Sequence, residues 1–286
     1  KIGDNNGQLN TTKESLIDGT VDLQGFNQSF RVVSPCTGVF DSTVFGAGGC
    51  TLTLGSSSVA QSFAGEIKDS GWDATHKLAL NKAGTFVLEL GGTNSYHGNT
   101  RITLGTLQVM SATAIPHGPD FGNVVFDGGS LDLNGHDITV NGISGGNTIS
   151  DSTFLTTTLT LGDGDATASH GGAINGLFGV TKIGAGVQTF TGTKNYSGNT
   201  VIAKGTLRIN GTLANSPLVT VEAAGTLGGT GTVGGAVVNN GTLAPGATGI
   251  GTLTINGDLT LNAGSTNTFE VNGSTATNDA VIAGAM

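Results

Sequence analysis

Apolar and polar residues alternate in short runs, and the clearest series lies between Asn199 and Val271. There Gly-Thr-Leu returns at Gly205, Gly211, Gly225, Gly241 and Gly251, with Gly-Thr-Val at Gly231. After most of these, two or three apolar residues alternate with polar ones, and a Gly or Asn-Gly follows. Alternation at period two puts one set of side chains on one face, as a half-buried strand requires. Gly and Asn-Gly reverse the chain because they accept positive φ at little steric cost. Helical signals are nearly absent; the best candidate, Leu9 to Ile17, is short. Strand, turn, strand without helices predicts a solenoid of β-strands. A strand of four or five residues cannot bury its apolar face alone, but coiling stacks equivalent faces and pairs the backbone between rungs. Rungs of roughly 20 residues are expected, stacked about 4.8 Å apart. The expected core column of the C-terminal part is Val219, Val221, Leu227, Val233, Val237, Leu243, Leu253, Ile255, Leu259 and Leu261.

Upstream, whole phrases recur. DLQGFNQSF at 22–30 answers DLNGHDITV at 132–140, an offset of 110. TLTLG at 51–55 answers TLTLG at 158–162, an offset of 107, and SFAGEI at 62–67 answers SHGGAI at 169–174 at the same offset. NSYHGNTRITLGTLQV at 94–109 answers KNYSGNTVIAKGTLRI at 194–209, an offset of 100. The chain therefore reads as one solenoid over 1–286 with internal units at 16–116 and 126–214. The drift of the offset marks extra residues in the first copy: three in the segment ending at Cys50 and seven in 69–82, which carries Trp72 and His76. Solenoids confine such insertions to their turns.

Composition narrows the class. Glycine is 50 of 286 residues, far above the usual share of about 7%. There is no Gly-X-Y period and Pro is only 5, which excludes collagen. Hydrophobic residues at 36% exclude a disordered linker. Charged residues are only 11%, so the surface polarity comes from Asn, Thr, Ser and Gly. A formal net charge of −9 without any Lys or Arg cluster argues against nucleic acid as a partner. No apolar run approaches the roughly 20 residues of a membrane helix.

Two ordered resemblances follow from these phrases. LANSPLVTV at 213–221, GTLGGTGTV at 225–233, GTLAPG at 241–246, IGTLTINGDLTL at 250–261 and GSTNTFEV at 264–271 resemble, in order and spacing, the C-terminal part of the passenger of bacterial type V autotransporters. Lys182, Gly184, Gly186, Gly192, Asn195, Tyr196, Gly198, Thr200, Ile202 and Gly205-Thr206-Leu207 resemble the autotransporter-associated β-strand repeat. These resemblances imply an all-β, right-handed parallel β-helix, exported across the bacterial outer membrane to the cell surface. They imply a structural stalk or adhesin-type scaffold, partnered by host or matrix surface molecules or by itself. A C-terminal β-barrel translocator is expected beyond Met286, and residues 213–271 would serve as a folding nucleus after export. A carbohydrate-active β-helix enzyme is the second reading, which a cleft with facing acids would favour. A fibre or biofilm subunit is the third.

Candidate chemistry is sparse. Cys36 and Cys50 lie close together, which suggests a disulfide hairpin in an oxidising compartment; the alternative is two small core residues. A small closed loop also suits passage through a narrow export pore, as the resemblance implies. Polar residues that recur at one repeat position, namely Asp22 and Asp132, Lys82 and Lys182, and Tyr96 and Tyr196, are expected to serve turns, rung edges and packing. Residues present in one copy only are the functional candidates: Glu66, Trp72, His76, His97 and His170. Asp69-Ser70-Gly71 faintly resembles a nucleophile motif, but its flanking glycines are missing. GSSSV at 55–59 is no nucleophile elbow. Asp163 and Asp165 could share a cation but suit a turn better. The five histidines form no zinc motif. No catalytic, cofactor-binding or metal-ligating residue is expected, and no cofactor.

Overall fold

The computed structural model describes residues 19–30, 36–43, 48–55, 60–246, 249–272 and 277–284. The Leu9 to Ile17 candidate lies outside them. The described residues form a parallel β-solenoid, and the one helical segment among them is a single 3-10 turn, Asp163–Asp165. The chain divides into two compact units, Lys1–Asn141 and Gly142–Met286.

In the first unit the strands stack on three faces, five on one, four on the second and three on the third. One face stacks Gln28–Phe30, Cys50–Leu54, Leu78–Lys82, Thr100–Ile102 and Val124–Phe126, all parallel. The second stacks Gln61–Phe63, Val87–Leu90, Thr106–Val109 and Ser130–Asp132. The third stacks Thr20–Asp22, Val39–Asp41 and Glu66–Lys68. Inward positions are Leu52, Leu80 and Ile102 on the first face and Leu88, Leu107 and Leu131 on the second, all fully buried. An aromatic cluster fills one end, with Phe40 4.8 Å from Phe30 and 5.3 Å from Phe63 between ring centroids.

The second unit repeats the stacking scheme. Thr158–Leu161 and Gly179–Lys182 pair in parallel, and Gly179–Lys182 pairs on to the long strand Thr200–Ile209. That strand pairs with Leu218–Gly229, shifting register between Ile202 and Lys204, so both strands run through a corner and serve two faces. Of the expected core residues, Val219, Val221, Leu227, Val233, Val237, Leu243, Leu253 and Ile255 are at most 1% exposed. Each contributes roughly 1.5–3 kcal/mol of burial. Leu259 and Leu261 are the exceptions: Leu259 is half-buried and Leu261 is 49% exposed. They pair with Val237 and Asn239 on one side only. An inward side chain is buried by the rungs on both sides of it, and no described rung stacks beyond theirs on that face.

The recurrent phrase has a steric cause. At one corner of the second unit Gly171, Gly192, Gly211 and Gly231 stand one above another. A Cβ on Gly192 would lie 1.8 Å from the Gly171 carbonyl oxygen, on Gly211 2.3 Å from that of Gly192, and on Gly231 2.0 Å from that of Gly211. Only glycine lets the backbones approach at rung spacing there. The following Thr faces out and the Leu or Val faces in: Thr212 and Thr232 are paired, as are Leu213 and Val233.

Recurrent polar residues do the same work in both copies. Asp22 and Asp132 each accept from a backbone N–H two residues on, Gln24 and Asn134, both at 3.0 Å. Gln24 and Asn134 take φ of 49° and 46°, and each is followed by a glycine at positive φ, Gly25 and Gly135. Tyr96 and Tyr196 are fully buried, with hydroxyls 2.6 and 2.7 Å from the Thr100 and Thr200 hydroxyls. Lys82 donates to the carbonyls of Ala83, Gly84 and Leu104, and Lys182 to those of Ile183, Gly184 and Lys204. Asp163 and Asp165 build a turn, in which Asp165 Oδ1 accepts from the backbone of Ala185.

Candidate functional site

The single-copy residues converge where the two copies differ most. In the second copy Gly176 occupies a tight corner at φ 150°, and its carbonyl accepts from the backbone N–H of Ser197 at 2.9 Å. In the first copy Asp69 stands at the equivalent position and seven further residues follow. The buried Asp69 carboxylate takes over the acceptor role: Oδ2 receives the backbone N–H of His97 at 3.1 Å and that of Leu78 at 2.9 Å. Its other oxygen lies 2.7 Å from Nδ1 of His97.

The insertion then folds back over that histidine. Gly71 donates its N–H to the Ser42 carbonyl, Trp72 donates to the Asp69 carbonyl, and Asp73 closes a turn by accepting from Thr75 and His76. Its carboxylate also lies 2.8 Å from His76 Nδ1, and this bonding pulls its pKa well below the ordinary carboxylate range. The result is a stack of three rings: Trp72 on His97 with centroids 3.7 Å apart and planes 20° apart, then His97 on Phe121 at 4.4 Å and 9°. Trp72, at 38% exposure, is the outer member. Lys77 stands 6.0 Å from the indole centroid and donates to the Asp120 carbonyl. Between Trp72, His97, Asp69, Ser70, Ser95 and Lys68 is a cleft of about 180 Å³.

Of the five single-copy residues, the structure thus joins Trp72 and His97 and sets His76 in the same insertion. Glu66 is not in the cleft wall but lies 3.2 Å from Nζ of Lys68, which is. His170 belongs to the second unit, where it is buried with Nε2 2.9 Å from the Asn147 carbonyl; burial pulls it down to about 4. Ser70 is not presented as a nucleophile toward His97: its hydroxyl donates to Asp41 Oδ2 at 2.8 Å and its N–H to Oδ1 at 2.9 Å. Sequence reasoning missed Phe121 and the anchoring role of Asp69. The available signal was the pairing of two departures, Asp69 for Gly176 and His97 for Ser197.

The two cysteines sit on different faces. Cys36 bridges to Phe63, and Cys50 opens a strand paired with Leu78. Both are buried; Cys50 carries a thiol that donates to Ser42 Oγ at 3.6 Å, and burial pushes it up to about 11.

A family model described as the passenger-associated-transport-repeat matches residues 80–109 and 180–209, the two segments that hold the lysine cages and buried tyrosines. The chain is also 37% identical over 144 residues to the adhesin BmaC autotransporter of Brucella suis biovar 1 (strain 1330), a match covering 49% of this chain and 4% of that protein. The two matched segments are thus similar to passenger-associated repeats, and about half of the chain is similar to part of an autotransporter adhesin. The chain spans a small fraction of that relative's length, and no solved structure matches it. His97 falls inside the first matched repeat and Trp72 outside it, so the cleft is built by one repeat and one addition to it.

If Asp69 anchors the corner, Asp69→Ala leaves two backbone donors and one imidazole donor unsatisfied. It should cost about 3 kcal/mol or more, against roughly 1 kcal/mol for Ser70→Ala. Urea unfolding followed by Trp72 emission measures both, and an Asp69→Ala midpoint equal to that of the parent would contradict the assignment.

Proposed function

We propose that this chain is a passenger segment serving as a surface scaffold, a stalk or adhesin-type module exported across the outer membrane by a β-barrel translocator of the same polypeptide. The supporting observation is where the polar side chains are spent. The buried carboxylates Asp41, Asp69, Asp132 and Asp151 each accept from turn backbone or turn hydroxyls. Buried lysines are spent on corner carbonyls. What faces outward on the strands is mainly Thr, Ser, Asn and Val, which suits display better than hydrolysis. This supports a non-enzymatic passenger, and the adhesin name of the Brucella relative agrees with that reading. Partners in this reading are host or matrix surface molecules. In cells producing the full-length parent protein, an antibody raised against residues 80–209 should label intact bacteria. Labelling only after the outer membrane is permeabilised would defeat the export reading.

We also infer that residues 213–271 nucleate folding after export. Several of their corners are glycine-tight, as at Gly231 and Gly234, whereas the first unit carries the Trp72 insertion; in a solenoid each rung leans only on its neighbours, so stability can vary along the chain. Hydrogen exchange with mass spectrometry should find 213–255 better protected than 19–116, and the opposite order would remove the assignment.

The Cys36–Cys50 disulfide is proposed for the exported protein. The protonated, buried Cys50 thiol is a poor nucleophile at neutral pH, so the bond would form before the fold closes over it. Protein refolded under oxidising conditions should then show no reactive thiol after unfolding without reductant. Two thiols would show that both are simply core residues.

A further inference from the structure

We propose that the cleft beside Trp72 binds a pyranose ring of a neutral glycan. This deepens the adhesin reading but is tested apart from it.

The solenoid does not need the insertion. In the second unit the equivalent corner closes with Gly176, and Gly198 donates directly to the Phe178 carbonyl, as Gly98 does to that of Leu78. The insertion adds an exposed indole, and the rest of the corner is arranged to hold it still. Asp69 fixes the His97 ring, His97 carries Trp72, and Phe121 backs His97. A large side chain immobilised before any ligand arrives loses little entropy on binding.

The chemistry around it is mixed in the way a sugar is. A pyranose has an apolar C–H face and an equatorial girdle of hydroxyls. The cleft offers an aromatic surface with Ser95, Ser70 and His97 beside it. His97 is held by its Nδ1 contact to Asp69, so the ring that carries the indole keeps one orientation. Small-ligand sites commonly pair an aromatic wall with a few fixed polar groups, and at about 180 Å³ this cleft is smaller than most, with room for one ring rather than a longer ligand.

Charge decides against acidic sugars and phosphates. Asp69 lies in the cleft wall, Lys68 is paired with Glu66 at 3.2 Å, and Lys77 is spent on a carbonyl. The formal net charge of −9 adds long-range repulsion.

Trp72 is the only tryptophan of the chain, so its emission reports on this cleft and no other place. The full chain should be titrated with methyl glucoside, methyl galactoside, methyl mannoside and N-acetylglucosamine, with glucuronate and glycerol as controls. A saturable shift with at least one neutral sugar at millimolar concentration is expected, with none from glycerol and a weaker one from glucuronate. Saturation-transfer NMR with the responding sugar should show roughly tenfold weaker binding to Trp72→Ala, whose fold is checked by circular dichroism. No emission change with any of the four sugars overturns the proposal. So does a response strongest with glucuronate, or an NMR signal that Trp72→Ala leaves intact. Should Trp72→Ala not fold, the wild-type titration decides alone. Failure of surface labelling with sugar binding intact would strike the export reading only, and the reverse result this one only.

Discussion

Parallel stacking in register is the constraint on which everything else depends. Each strand pairs with the strand one rung away, residue for residue: Leu207 with Leu227, then Leu227 with Leu243. Any residue therefore meets its own counterpart at rung distance, and the choice of residue is judged column by column. Inward columns can be apolar because like stacks on like. Corner columns must be glycine wherever a Cβ would meet the carbonyl below, as at Gly192 and Gly231. The outward columns face water and can be filled with Thr, whose branched Cβ suits a pleated surface. Gly-Thr-Leu is the three-residue statement of those three columns at a corner.

That is why so much of the fold was legible. A column repeats, and repetition is visible in one sequence without any relative. The turn at Asp22 and Asp132, the buried tyrosines and the lysines could be called structural because each appeared twice, and their geometry agrees between copies. What escaped were features set by rung length or by an end. Leu259 and Leu261 have the same pattern as the buried leucines before them, and nothing local says that no described rung stacks beyond theirs. Trp72, His97 and Phe121 are about 24 residues apart in sequence. Their meeting requires knowing how long each rung is after an insertion, which the pattern of apolar residues does not state.

The insertion also shows how a solenoid acquires a site without losing its register. The corner at Gly176 satisfies the N–H of Ser197 with a backbone carbonyl. Opening that corner to admit seven residues removes the carbonyl from reach. Asp69 replaces it with a carboxylate that serves two backbone donors at once, so the rung above begins in its proper place. The carboxylate is buried, and a buried polar group needs a hydrogen-bond partner. His97 supplies one and becomes the platform for the indole. The exposed aromatic is thus a consequence of how the corner was repaired.

Buried lysines show the same logic with the opposite sign. A corner in which two chain directions meet leaves carbonyls pointing inward, away from the strand ladder. Lys82, Lys182 and Lys194 each send an ammonium into such a cluster; Lys194 reaches the carbonyls of His170 and Gly172 and lies 5.1 Å from the Phe190 ring. Burial pulls all three down to about 8, so the charge is disfavoured even though the carbonyls receive it. Between about 8 and the ordinary value of 10.5 the unfolded chain holds more protons than the folded one, so this part of the stability rises with pH across that window. A methylene chain with a polar tip fills the apolar corner along its length and satisfies two or three carbonyls at its end. No shorter donor spans that distance, and an apolar side chain would leave the carbonyls unpaired. The lysine sits in both matched repeats because the same corner recurs in both.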